Sequence, residues 1–84
     1  MNIVYVLRSL KDGKRYCGLT NDLDRRLEEH KRGKVFSTRS RLPFIVEYQE
    51  TSETRSEARV GEKYFKTSAG RRFLDLVSGK NRGG

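Results

Sequence analysis

Five polar residues of this sequence are of types that can act on a phosphodiester: Tyr5, Tyr16, Arg26, His30 and Glu62. A carboxylate can hold one hard divalent cation that keeps most of its waters. An arginine can stabilise negative charge on a phosphate. With the tyrosines and the histidine, these groups form a set suited to metal-assisted phosphodiester cleavage.

Most of these residues also have an ordinary structural explanation. A tyrosine in a strand commonly packs in or beside the core, and Arg26 could be a solvated arginine on a helix. Glu62 is harder to explain in this way, because it lies between Ala58 and Phe65 on a helical face that should be apolar. A carboxylate on an inward face needs a partner, a metal or a catalytic role.

Composition limits the fold and the partner. The chain has 84 residues, 33% hydrophobic and 36% charged, which predicts one small domain with a thin core and a site on an open face. A net charge of +8 and a pI near 10.1 favour a polyanionic partner, nucleic acid above all. One cysteine, Cys17, and one histidine exclude an intramolecular disulfide and a two-histidine zinc site. We expect a soluble, cytoplasmic protein that does not enter a membrane.

The two tyrosines lie in two predicted strands. Residues 2–8 and 14–19 are rich in β-branched and aromatic side chains, and Asp12-Gly13 between them is typical of a two-residue hairpin turn. That turn would place Thr20 opposite Tyr5, Gly18 opposite Leu7 and Tyr16 opposite Ser9. Both tyrosines would then project from one face, with Gly18 as a gap between them, whereas a bulge would move Tyr16 to the other face.

The next element is predicted to be a helix over residues 20–33, with Thr20 or Asn21 as N-cap. Arg26 and His30 are four residues apart and therefore share one face of this helix. The remaining elements are a strand over 44–50, a helix from a Thr54/Glu57 capping box to about Thr67, a short last helix over 69–77 and a flexible basic tail over 78–84. Gly61 within the second helix predicts a close approach of the backbone to a neighbour. The fold class is α+β, a small three-stranded antiparallel sheet flanked by helices in the order ββα-βα(α).

The sequence resembles the GIY-YIG nuclease family. The segment "IVY" at 3–5 stands where that family has GIY, and "YCG" at 16–18 stands where it has YIG. Arg26 falls at the family's arginine, His30 at its histidine or tyrosine, and Glu62 at its metal-binding glutamate.

The resemblance covers about residues 2–66 and implies a nuclease domain over 1–77. The segment "TRSRLPFIVEYQE" is similar to the small stand-alone bacterial members in particular. Related members are the N-terminal domain of an excision-repair nuclease and the GIY-YIG homing endonucleases, so a role in DNA repair is one expectation.

What the resemblance implies about activity is a structure-specific or weakly sequence-specific DNA endonuclease. Glu62 would hold one Mg²⁺ or Mn²⁺, and a water or hydroxide would attack phosphorus. Tyr5 would act as general base or orienter, Tyr16 would hold the nucleophile or the phosphate, and Arg26 would stabilise the transition state. His30 would complete the catalytic set.

Nucleic acid is expected to bind mainly through its phosphates, because seven Lys or Arg and two acids lie between Arg25 and Arg41. The residues expected to contact nucleic acid are Gly18, Arg25, Lys31, Arg32, Lys34, Arg39 and Arg41. DNA is the expected partner and RNA an alternative, and the protein is expected to act as a monomer or a weak homodimer. Two other functions stay open: a non-catalytic nucleic-acid-binding module with the same fold, and a basic adaptor for an acidic protein.

Overall fold

The computed structural model describes the backbone of residues 1–81 and the side chains of residues 1–77. Its elements in chain order are β1 (Asn2–Ser9), β2 (Arg15–Thr20), α1 (Leu23–Lys31), a short 3-10 turn (Arg39–Arg41), β3 (Phe44–Ser52), α2 (Arg55–Tyr64) and α3 (Ser68–Asn81). This confirms the predicted fold class and element order. No helix in the described part of the chain is long and apolar enough to cross a membrane.

The sheet is antiparallel, with strand order β2-β1-β3, so β1 is central. One face of β1 presents Val4 and Val6 to a core that includes Ala58 of α2, the C-cap residue Phe65 and Leu74 of α3. The other face presents Tyr5 and Leu7, which are equally buried, toward α1. Because helices cover both faces, the β1 sequence is a continuous apolar run instead of an alternating one.

The predicted register of the first hairpin is wrong by two residues. Tyr5 pairs with Gly18, and Leu7 pairs with Tyr16. Side chains alternate with a period of two, so a shift of two leaves every side chain on its predicted face. Tyr5, Tyr16 and Gly18 therefore still share one face, as the sequence predicts.

The loop between β1 and β2 explains this difference. The Ser9 amide donates to the Lys14 carbonyl over 2.8 Å, which closes a connection longer than the two-residue turn. The buried Ser9 hydroxyl accepts hydrogen bonds from the amides of Lys11 and Asp12 at 3.1 and 3.2 Å. Gly13 follows with a φ of +73°, the left-handed conformation expected of a turn glycine.

The helix boundaries differ from the prediction where side-chain caps compete. The Asp22 carboxylate accepts from the Arg25 amide, so α1 begins later than a cap at Thr20 or Asn21 would place it. The Thr54/Glu57 capping box of α2 is confirmed. Helix α2 ends at Tyr64, before the predicted end at Thr67.

The C-terminal helix is longer than predicted. It runs through Asn81, so the segment 78–84 that we expected to be a flexible tail begins inside helix α3. Residues 82–84 lie outside the described residues. Gly61 of α2 confirms the predicted close approach, since a Cβ there would lie 2.9 Å from the Glu50 carboxylate and 3.6 Å from Val4.

Candidate functional site

Four of the five predicted catalytic residues, Tyr5, Tyr16, Arg26 and His30, meet between the sheet and α1, and we call them the tyrosine cluster. The Tyr5 hydroxyl lies 2.9 Å from His30 Nε2. Arg26 Nε donates to the same hydroxyl over 3.4 Å. Arg26 and His30 reach one atom because residues four apart lie above each other on a helix.

Tyr16 completes the cluster through ring contacts. Its ring centroid lies 5.1 Å from that of His30 and 6.3 Å from that of Tyr5, and the contact with His30 is edge-to-face. Such aromatic pairs are favourable beyond the area that they bury. Tyr16 is only partly buried on the edge strand, whereas Tyr5 on the central strand is fully buried. Tyr16 is therefore the tyrosine that a bound molecule can reach directly.

Thr38 fixes His30 from behind, and no pattern in the sequence indicated this contact. Thr38 is fully buried, its Oγ1 lies 2.8 Å from His30 Nδ1, and it donates to the Val35 carbonyl over 3.4 Å. Because the Thr38 hydroxyl donates its one proton to Val35, it accepts a hydrogen bond from His30 Nδ1–H. His30 Nε2 then accepts from the Tyr5 hydroxyl, and one directed chain of hydrogen bonds leads away from Arg26.

Burial favours the neutral form of both Tyr5 and His30. Loss of hydration raises the pKa of Tyr5 to about 12, against a smaller lowering by the hydrogen bond from Arg26. Loss of hydration, and then the charge of Arg26, lowers the pKa of His30 below its ordinary value. At neutral pH Tyr5 is therefore a phenol and His30 a neutral imidazole, so the Tyr5 hydroxyl can donate a hydrogen bond to His30 Nε2.

The space above Gly18 is filled by Tyr5. A Cβ placed on Gly18 would collide with the Tyr5 hydroxyl and with the adjacent ring carbons, one of them 2.9 Å away. The gap that we expected at Gly18 between the two tyrosines is therefore occupied by the Tyr5 side chain. In this structure a residue without a side chain is required at position 18 so that Tyr5 can reach α1.

Arg26 carries positive charge from this cluster into a polar groove of about 340 Å³. The groove is also lined by Arg25 and Glu29 of α1 and by Arg55 from the first turn of α2. Arg26 Nη1 is bonded to the Glu29 carboxylate at 3.1 Å, and the side chain is 33% exposed. The hydrogen bond with Tyr5 is the largest of the effects that raise the pKa of Arg26. The guanidinium therefore stays charged. Nothing in the sequence around Arg55 predicts that it lies beside α1.

Glu62 lies apart from the tyrosine cluster. Within residues 1–77 its carboxylate makes no hydrogen bond or ion pair with the cluster, and its partner is Lys66 at 3.7 Å. Its side chain is 23% exposed, because Gly61 and not Glu62 approaches Val4 on the sheet. Glu62 therefore lies at the border of the inward face on which the sequence places it.

Glu62 nevertheless lies near β2, the edge strand that carries Tyr16. Its main-chain carbonyl accepts a hydrogen bond from the Cys17 thiol at 3.7 Å. Burial, and then the Glu62 charge, raises the pKa of that thiol to about 11. Residues seven apart on a helix share a face, so Glu62 lies on the stripe of α2 that begins with Arg55 in the polar groove. Seven residues of helix span about 10 Å along its axis.

The residues predicted to contact phosphates are on α1 and on the loop that follows it, and several already have acidic neighbours. Arg25 pairs with Glu29 at 3.3 Å, Arg32 pairs with Glu28 at 3.2 Å, and Arg41 lies 3.9 Å from Asp12. Lys31, Lys34 and Arg39 are on the same two segments, and all three are exposed.

Glu62 is the residue expected to hold a metal ion. Among the described residues no group of three or more His, Cys, Asp or Glu is placed to hold an ion. Mg²⁺ commonly binds through one or two carboxylates together with waters and substrate phosphates. Glu62 fits that pattern, because it is partly exposed and its ion pair with Lys66 is long.

A second polar cluster on the sheet is structural. Glu47 is buried at the bulge in β3 and accepts hydrogen bonds from Arg8 at 3.1 Å and from Arg15 at 2.6 Å. Arg15 also pairs with Asp75 of α3 at 2.7 Å. These contacts join the sheet to the last helix, so Arg8 and Arg15 are committed to the fold.

Comparisons with known proteins agree with this architecture. A family model described as the GIY-YIG catalytic domain matches residues 1–73. A UPF0213 protein of Bacillus licheniformis is 40% identical over 81 residues, which cover 95% of this chain and 82% of that protein. A UPF0213 protein of Clostridium perfringens is 38% identical over 82 residues, covering 96% and 87%.

A solved structure leads to the same group of proteins. The solution NMR structure of a UPF0213 protein from Bacillus halodurans aligns with a TM-score of 0.55 and 39% identity. The alignment covers 93% of this chain and 84% of that one. The names of these relatives state no activity.

Proposed function

We propose that this chain, which belongs to the GIY-YIG catalytic domain family, is a divalent-metal-dependent endonuclease that hydrolyses DNA phosphodiester bonds. GIY-YIG domains form a nuclease superfamily. The finer statements, namely DNA as substrate, Mg²⁺ or Mn²⁺ as cofactor and a structure-specific or weakly sequence-specific cut, are our proposal.

The observation that carries the proposal is the hydrogen-bonded chain from Arg26 through Tyr5 to His30. A buried phenol between a guanidinium and a neutral imidazole is costly to assemble, and a phosphate-binding surface alone does not need it. Arg26 links this chain to the groove that Arg25 and Arg55 line. Cations around a groove of this kind suit a phosphate group.

In the proposed reaction Arg26 donates to a non-bridging oxygen of the scissile phosphate and stabilises the charge that develops there. Tyr5 is fully buried and bonded to Arg26, so the attacking water would reach its oxygen when Arg26 turns toward the phosphate. The water then gives a proton to the Tyr5 oxygen while the Tyr5 phenol proton moves to His30 Nε2. Tyr5 therefore need not ionise first, which its pKa of about 12 would oppose at neutral pH. Tyr16, which is partly exposed and packs against His30, orients the water or a phosphate oxygen.

Glu62 would hold the metal, which supplies a Lewis acid at the phosphate and a counter-charge for the leaving oxygen. The ion pair with Lys66 must open for this to occur. The stripe from Arg55 to Glu62 on α2 supports a substrate that extends from the polar groove along the edge strand. The phosphate contacts on α1 and its following loop would hold the flanking nucleotides.

One observation favours the alternative of a non-catalytic nucleic-acid-binding module. The Glu62 carboxylate faces Lys66 and makes no direct contact with the tyrosine cluster in the described residues. If the metal site did not assemble, the basic surface would still bind nucleic acid.

The test is cleavage of single-stranded, duplex, flapped and branched DNA, and of RNA, with Mg²⁺ or with EDTA. Tyr5→Phe and Glu62→Gln should each reduce metal-dependent cleavage by at least about a hundredfold. Tyr64→Phe and Glu53→Gln, which change the same residue types at exposed positions, are the matched controls and should cleave like the wild type. Cleavage that survives both site variants would overturn the mechanism, and binding without cleavage of any substrate would favour the non-catalytic module.

A further inference from the structure

The loop between α1 and β3 displays an aromatic ring that the fold does not use. Phe36 is 79% exposed, so its ring contributes little to the core. Its segment, residues 34–41, contains three Lys or Arg and no acid. The ring is therefore offered to solvent in a positively charged stretch of chain.

The backbone that carries Phe36 is held in place. Two residues later, Thr38 is fully buried and bonded to His30 of the tyrosine cluster. The Thr38 and Arg39 amides donate to the Val35 carbonyl at 3.1 and 3.0 Å. The Ser9 hydroxyl donates to the Arg41 carbonyl at 2.6 Å. The position of Phe36 relative to the cluster is thus set by contacts on both sides of it.

Arg39 lies over the Phe36 ring, with the guanidinium carbon 4.8 Å from the ring centroid. This cation–π contact keeps a positive charge against one part of the ring, while most of the ring stays open. An open aromatic ring beside phosphate-binding cations is the arrangement by which proteins stack unpaired bases. A base inside a continuous duplex is already stacked on its neighbours and cannot use such a surface.

We propose that Phe36 and Arg39 form a stacking platform for one unpaired nucleobase. Since Thr38 ties the platform to His30, a base held there would fix the strand relative to the tyrosine cluster. This favours single-stranded, flapped or branched nucleic acid over intact duplex as the substrate class. The inference rests on the proposed function in that it requires this face to bind nucleic acid.

A tryptophan reporter tests the contact directly, because the chain contains no tryptophan. In Phe36→Trp the emission of the introduced tryptophan should be quenched by a single-stranded oligonucleotide, and much less by an abasic strand of equal length and charge. Val60→Trp is the matched control. Val60 is 70% exposed on α2 in a hollow lined by Glu50, Glu53 and Glu57, so its reporter should not respond.

The second measurement is nucleic-acid affinity, compared between the wild type and variants of Phe36 that carry no tryptophan. Phe36→Ala should weaken single-strand binding about tenfold and duplex binding less than twofold, since stacking of one base is lost while phosphate contacts remain. Phe36→Tyr should restore the affinity. Because Phe36 is exposed, these variants should fold like the wild type. Circular dichroism checks that they do.

The outcomes separate this inference from the proposed function. If wild-type protein binds nucleic acid but the reporter is silent and Phe36→Ala binds normally, the platform is wrong and the nuclease proposal stands. If Phe36→Ala weakens single-strand and duplex binding equally, base stacking is also wrong. If wild-type protein binds no nucleic acid at all, both proposals fail. Quenching and selective weakening together would establish the platform even in the absence of cleavage.

Discussion

The tyrosine cluster and the Glu62 carboxylate differ in how firmly the fold holds them. Tyr5 and His30 are at most 2% exposed, and each polar atom of this pair has a protein partner. Glu62 is 23% exposed, and its carboxylate has a single partner in Lys66 at 3.7 Å among the described side chains. One region is part of the folded core and the other lies at its margin.

This difference matches two chemical requirements. A proton relay works best when donor and acceptor are fixed before substrate arrives, because reorganisation then adds little to the barrier. A residue that binds a hydrated metal must exchange partners, so a long and partly exposed ion pair suits it. Substitutions in the two regions should therefore fail in different ways.

Arg26→Ala should have the largest effect, because it removes the charge that links the tyrosine cluster to the polar groove. We expect a loss of about 10³ in the single-turnover cleavage rate, as for other arginines that stabilise a transferring phosphoryl group. Arg25→Ala is the matched control, since Arg25 lines the same groove but does not contact Tyr5, and it should cost less than about tenfold. Equal losses for the two variants would reduce Arg26 to one more phosphate contact.

Gly18→Ala tests how rigidly the fold holds the cluster. The added methyl group collides with the Tyr5 hydroxyl, and Tyr5 is too well packed to move freely. We expect the free energy of unfolding to fall by about 1–3 kcal/mol, as in other overpacked cores. Urea titration measures it.

Glu62→Gln gives the matched comparison in the second region. It removes a long, partly exposed ion pair, so the free energy of unfolding should change by less than about 0.5 kcal/mol. If Glu62→Gln destabilised the protein as much as Gly18→Ala, the two regions would not differ in rigidity.

The tyrosine cluster was largely predictable because it depends on periodicity. The period of two along β1 and β2 puts both tyrosines on one face in either register, and the period of α1 aligns Arg26 with His30. The exact register was not predictable in the same way. It depends on the Ser9 hydroxyl, which binds loop amides and so competes with the simpler turn at Asp12-Gly13.

Features that depend on contacts between distant segments could not be predicted from local sequence patterns. Thr38 looks like any polar loop residue until the loop folds back on His30. Glu62 was expected to face inward because Ala58 and Phe65 do, but Gly61 allows α2 to approach the sheet and leaves Glu62 at the border. Phe36 is different, because an isolated aromatic residue in a basic loop is a sequence pattern typical of base-stacking surfaces.

The smallest expected effect is on the pH dependence of stability, and it belongs to the tyrosine cluster alone. Burial lowers the pKa of His30 in the folded protein from its ordinary value of 6.5. In the pH range between that lowered pKa and 6.5, the unfolded chain binds more protons than the folded protein. The free energy of unfolding therefore rises with pH in this range and decreases as the pH falls. His30→Gln should remove this dependence, whereas Glu62→Gln should retain it. Urea titrations across that range measure the effect, and an unchanged slope in His30→Gln would assign it to other groups.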